Sequence, residues 1–107
     1  MTMPFVATVR ARQKTITLGG DSAARMLVRV EVPERWDVVR VAAPPSESVL
    51  AVKVAALQVL DPRADQRDYV MKLRGYEVLD EGLSLAMAGV TENAIFLLTR
   101  RRRRPVR

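Results

Sequence analysis

Between Met26 and Ala43 apolar and other positions alternate: Met26, Val28, Val30 and Val32 against Leu27, Arg29 and Glu31, then Val39, Val41 and Ala43 against Arg40 and Ala42. A period of two sends alternate side chains to opposite faces, so each run predicts a strand with one apolar face. The intervening segment from Pro33 to Asp37 carries turn formers, and Pro33 has no amide hydrogen for a ladder, which predicts an antiparallel hairpin. Pro44 and Pro45 break the second strand, and Ser46 or Ser48 can cap a helix by accepting a bond from an otherwise unpaired first-turn amide. From there Val49, Val52, Ala56, Val59 and Leu60 keep the three-to-four spacing of a helix face, and Val54 and Leu57 widen it. Asp61-Pro62 ends the helix, because proline disfavours helical geometry in the residue before it.

After a polar loop from Arg63 to Asp68 come a strand beginning at Tyr69, a turn over Leu79 to Gly82, a link from Leu83 to Val90 and a closing apolar strand from Ala94 to Thr99. The order is two strands, one helix and two or more strands. A single helix can then cover one face of a mixed sheet, an α+β arrangement. Residues 1–24 lack a hydrophobic period; Phe5–Val9 and Thr15–Leu18 could each form a short strand, as a hairpin around Arg12 to Lys14. The expectation is a flexible or loosely attached extension over 1–24, a folded domain over 25–100 and a disordered arginine-rich tail over 101–107.

Composition narrows the function classes. At 107 residues and 49% hydrophobic content the chain builds one core and is too short for two ordinary domains. It has neither Cys nor His, which excludes a disulfide framework and a zinc site made from those ligands and fits a reducing, cytoplasmic setting. No apolar run approaches the roughly 20 residues of a membrane helix. The net charge of +6 is concentrated: Arg100 to Arg104 and Arg107 hold six of the 18 basic residues, so the rest of the chain is neutral.

Several stretches, taken in order, carry a resemblance: Pro45 to Val49 at the helix entry, Val52-Lys53 on the helix, Asp65-Gln66-Arg67 before the third strand, Leu73-Arg74-Gly75 at a turn, Leu79-Asp80-Glu81-Gly82 in the following loop, Gly89 to Glu92, and Ile95 with Leu97 as an inward pair on the last strand. From about Met26 to Arg100 the chain resembles the ubiquitin-like superfamily, and most closely ubiquitin. The resemblance implies a β-grasp of four to five strands in a mixed sheet packed on one α-helix. It departs from conjugated members where they end in Gly-Gly. Arg101 to Arg107 supply Arg, Pro and Val instead, so covalent conjugation and sulfur carriage are not expected.

The resemblance also implies that partners read the outer face of the sheet. By position, Val70, Lys72, Phe96 and Leu98 fall on that face, with Lys72 where the central isoleucine of the usual patch would sit. The expected function is non-covalent binding of another protein through these residues, by a monomer that is not an enzyme and uses no cofactor or metal. Bacterial ubiquitin-like proteins of type VII secretion offer an analogy at the level of fold. The alternative is a basic adaptor in which Arg100, Arg101, Arg102, Arg103, Arg104 and Arg107 bind the phosphates of nucleic acid or anionic lipid. Against that alternative, the run contains no interleaved aromatic residues for base stacking.

Catalysis has little to draw on: without His or Cys, a general base would have to be a shifted carboxylate or Lys. Asp61, Asp65 and Asp68 share a loop, but Pro62, Arg63 and Arg67 interrupt them and the Gly and Glu of a calcium loop are missing. Trp36, at the hairpin tip, is expected to pack against its neighbours or to serve as a contact aromatic, Tyr69 and Tyr76 to line the sheet surface or edge, and Lys53 to form a buried ion pair or reach solvent.

Overall fold

The computed structural model describes residues 15–19 and 24–101. Strand β1 (Thr15–Thr17) is followed by β2 (Met26–Val32), a 3-10 turn (Pro33–Arg35), β3 (Asp37–Ala43), helix α1 (Val49–Leu60), a second 3-10 turn (Gln66–Asp68), β4 (Tyr69–Leu73), β5 (Tyr76–Glu77) and β6 (Ile95–Arg100). The strands form one mixed sheet in the order β1-β3-β2-β6-β4-β5. The central pair, β2 and β6, is parallel, β4 runs antiparallel to β6, and β2 and β3 form the antiparallel hairpin that their alternation predicts.

The six strands among the described residues exceed the four to five expected. The excess comes from β5, only two residues long, and from β1, which lies in the segment expected to be loosely attached. β1 pairs in parallel with β3, a strand of the domain itself. Leu18 N donates to Ala42 O at 2.8 Å, Arg25 Nε donates to Leu18 O at 2.9 Å, and Ile16 and Leu18 pack against the core. Residues 15–19 thus belong to the fold; Phe5–Val9 lies outside the described residues.

The core sits between α1 and one face of the sheet. Val28, Val30, Val41, Val49, Val52, Ala56, Met71 and Leu85 are completely shielded. Helix α1 begins where every first-turn amide finds an acceptor. Ser48 Oγ accepts from Ala51 N at 3.0 Å, Ser48 O accepts from Val52 N, and the loop after β5 supplies Leu83 O to Val49 N and Glu81 O to Leu50 N. Lys53, only 1% exposed, settles as a buried ion pair: Nζ lies 3.0 Å from both carboxylate oxygens of Glu81. The helix buries Leu57 and Lys53, whereas Val59, expected on the apolar face, is 40% exposed.

Candidate functional site

Which residues of β6 face outward follows from its neighbours. Parallel pairing sets Val30 beside Phe96 and Glu31 beside Leu97, and antiparallel pairing sets Leu73 beside Phe96, Lys72 beside Leu97 and Met71 beside Leu98. Directly paired residues share a face. Val30, Met71 and Leu73 are core residues, so Phe96 and Leu98 are core residues too, each 0% exposed. The expected outer positions Phe96 and Leu98 are therefore inward, and Ile95 and Leu97, expected to point inward, face outward. The four residues from Ile95 to Leu98 are all apolar, so period-two reasoning has no polar position there to set its phase. Thr99, which shares the outer face with Leu97, was the available signal.

Val70 and Lys72 do lie on the outer face. Cross-strand pairing aligns a row across five strands, Val38, Glu31, Leu97, Lys72 and Glu77, with Leu97 central between an acid and a base. A neighbouring row holds Arg40, Arg29 and Ile95. Ile95 is 43% exposed and Leu97 half-buried. Arg29 and Arg40 stand directly opposite each other, an arrangement of like charge that disfavours the pair. At the start of β4, Val70, only 6% exposed, floors a cleft of about 420 Å3 whose other lining residues are Glu34, Lys72, Glu77, Thr99, Arg100 and Arg101. The outer face thus offers an apolar centre at Leu97 and Ile95 within a mixed but mainly basic rim.

Of the expected phosphate-binding arginines, two are described, and both are engaged with the fold. Arg100 lies over the Tyr69 ring, 5.5 Å from its centroid. Arg101 N donates to Asp68 O at 2.7 Å, its Nε to Arg67 O, and its Nη1 approaches Glu77 Oε2 at 3.6 Å. Arg102, Arg103, Arg104 and Arg107 lie outside the described residues.

Two aromatic expectations are corrected. Tyr69 is buried beneath Arg100, and its hydroxyl donates to Asp61 Oδ2 at 3.0 Å. Asp61 also pairs with Arg35 of the hairpin turn, whereas Asp65 accepts from the Arg67 amide and guanidinium within the loop. Trp36 does not pack against its neighbours. It is 94% exposed. A second apolar hollow, about 590 Å3, opens between the β4–β5 turn and the link before β6, with Tyr76, Leu79 and Met87 exposed along it.

A helix packed on one face of a mixed sheet, with a parallel central pair and a leading hairpin, is also found in solved structures. A ubiquitin-like domain of an Arabidopsis thaliana protein superposes with a TM-score of 0.63 at 16% identity, covering 83% of this chain and 90% of its own. The fold is the ubiquitin-like β-grasp. The C-terminal ubiquitin-like domain of mouse tubulin-specific chaperone e gives a TM-score of 0.63 at 17% identity over 82% of this chain and 98% of its own. The ubiquitin-like domain of Plasmodium falciparum Dsk2 gives 0.62 at 22% identity over 72% and 99%. No family model matches the chain, and no curated protein matches it in sequence. The ubiquitin-like likeness is thus one of fold.

Proposed function

We propose that this ubiquitin-like chain is a protein-interaction module that binds its partner non-covalently through the outer face of its sheet. The observation that carries the reading is the row in which Leu97 stands between Glu31 and Lys72, on the face opposite α1. A sheet face used only for solubility has no need of Ile95 and Leu97 side by side with a half-open Val38. An apolar centre ringed by charges is the usual anatomy of an interface anchor: the centre supplies affinity and the rim supplies orientation. Lys72 keeps a place in this reading, Val70, only 6% exposed, lies beneath the face rather than open on it, and Leu97 and Ile95 take the places of Phe96 and Leu98. The residues that follow β6 are arginines, bulky where conjugating enzymes close on bare glycine backbone.

The test compares the intact chain with Leu97→Asp and with Lys72→Glu in affinity capture from the source's own lysate, with a photo-crosslinker at residue 95 to map the contact. The expected result is one protein captured by the parent, crosslinked at residue 95 and lost in both variants while their thermal unfolding matches the parent. Capture that survives Leu97→Asp removes the outer face as the site.

A further inference from the structure

Helix α1 is apolar on both of its sides. Its inward residues Val49, Val52, Lys53, Ala56, Leu57 and Leu60 are buried. The other six, Leu50, Ala51, Val54, Ala55, Gln58 and Val59, make up the side turned away from the core; Gln58 and Val59 are exposed and the rest half-buried. A helix lying on the surface of a lone domain carries polar and charged residues on its solvent side, and a helix apolar all round is covered on both. Here the outward set holds one polar side chain, the Gln58 amide, and the helix's one charged residue, Lys53, is spent inward on Glu81. The core already has its apolar cover, so the outward side answers to something beyond the domain.

Charge stands only at the two ends. Glu47 precedes the Ser48 cap and Arg63 follows the Asp61-Pro62 stop, and neither enters an ion pair among the described residues. One end of the patch is thus acidic and the other basic, with a neutral middle.

We propose that α1 docks on α1 of a second copy of this chain, antiparallel across a two-fold axis that passes between Val54 and Ala55. A two-fold contact uses the same patch twice, so the patch must complement itself. Reversing α1 about that point maps the outward set onto itself: Leu50 meets Val59, Ala51 meets Gln58 and Val54 meets Ala55. Two of these pairs set a small residue against a larger one, the third is apolar on both sides, and no like charges meet. The same reversal brings Glu47 of each copy toward Arg63 of the other, which closes both ends with opposite charges. A parallel pairing would instead bring Glu47 toward Glu47 and Arg63 toward Arg63. Beside the patch, Pro62, Ala64 and Gln66 wall a hollow of about 210 Å3 against Val54 and Gln58, which gives the larger side chains of a facing helix room.

The size of the patch sets the strength of the pairing. With 12 residues, α1 is about 18 Å long, and its outward side falls well short of the roughly 800 Å2 per partner of a standard interface. The dimer is therefore reversible and answers to concentration, with a dissociation constant on the order of 10–100 μM, in place of the monomer expected from the sequence. Because α1 and the outer face lie on opposite sides of the sheet, pairing through α1 leaves the Leu97 face of both copies open. A module with one site becomes bivalent. The pairing itself does not depend on the outer-face reading.

The test is sedimentation velocity of the intact chain from about 5 μM to about 500 μM, a range that brackets the expected constant. The mass is expected to rise from that of one chain toward that of two. Ala55→Glu sets two carboxylates beside the axis and is expected to weaken association about a hundredfold, with thermal unfolding matching the parent. Glu47→Arg alone and Arg63→Glu alone are each expected to weaken it about threefold, and the double replacement to restore it. The two positions lie at opposite ends of one helix, so the rescue reads a contact between copies. Leu97→Asp leaves association unchanged, which separates this surface from the outer face. A chain that stays monomeric throughout the range overturns the proposal, as does association that survives Ala55→Glu. Weakened single variants with no recovery in the double overturn the antiparallel pairing. A monomer that co-sediments with phosphatidylcholine vesicles, and ceases to do so on Ala55→Glu, overturns the second copy in favour of lipid.

Discussion

Leu97 and Leu98 are neighbours of the same residue type, yet they belong to different parts of the molecule. Leu98 is sealed beside Met71 under α1, whereas Leu97 lies half-open between Glu31 and Lys72. The same division runs along the rest of β6, with Phe96 inward and Ile95 outward. Hydrophobicity does not decide the matter, since all four residues would gain from burial. The neighbouring strands decide it. Arg29 and Glu31 on β2 and Lys72 on β4 carry charges that cannot enter the core without partners, and once those face outward the pairing register assigns each residue of β6 a side. The inner face therefore answers to stability and the outer face is free to answer to a partner.

That comparison can be broken by mutation, beginning with the largest effect. Phe96→Ala is expected to destabilise the fold by about 3–5 kcal/mol, read as the shift of the urea unfolding midpoint. A loss below about 1 kcal/mol would place Phe96 outside the core and reverse the assignment of the two faces. The buried ion pair comes next: Lys53→Ala is expected to cost about 3 kcal/mol, because the Glu81 carboxylate, mostly buried, loses its partner. The double replacement Lys53→Met with Glu81→Gln should recover much of that loss in the same unfolding assay. If the single and double variants are equally unstable, the methylene packing of Lys53 rather than its charge ties the loop to α1.

Smaller effects sharpen the contrast. Trp36→Gly is expected to raise stability by about 1 kcal/mol, since the left-handed conformation is relieved and no buried contact is lost. A chain destabilised by that change would show that the indole supports the hairpin. Leu97→Asp should change stability by less than about 1 kcal/mol, measured by thermal unfolding, while abolishing capture of the partner. The pairing of a large binding effect with a small stability effect at residue 97, and the reverse at residue 96, is the sharpest statement of the two-faced sheet.

Much of this architecture is legible in the chain. The alternation from Met26 to Ala43 places Val28, Val30, Val39 and Val41 on the core side, where they are. Ser48, one of two candidate caps, does cap α1, and Asp61-Pro62 does end it. Other features resist sequence reasoning for identifiable reasons. β1 carries only three residues in a segment without period, and only its parallel pairing with β3 makes it a strand. Tyr69 looks like surface until Asp61 accepts its hydroxyl and Arg100 covers its ring. Trp36 sits at a hairpin tip that allows either packing or exposure, and only the folded turn decides for exposure.

By itself, the sequence determined the first hairpin, the helix and the order of the later strands, because local period, proline breaks and capping residues act within a few positions of one another. It also determined that the cationic excess is gathered in the arginine run. Tertiary structure alone decided the phase of β6, the burial of Lys53 against Glu81 and the meeting of Glu34 with the start of that run. Each depends on residues brought together from separate elements. A face, a buried pair or a pole exists only once strands distant in the chain have taken their register.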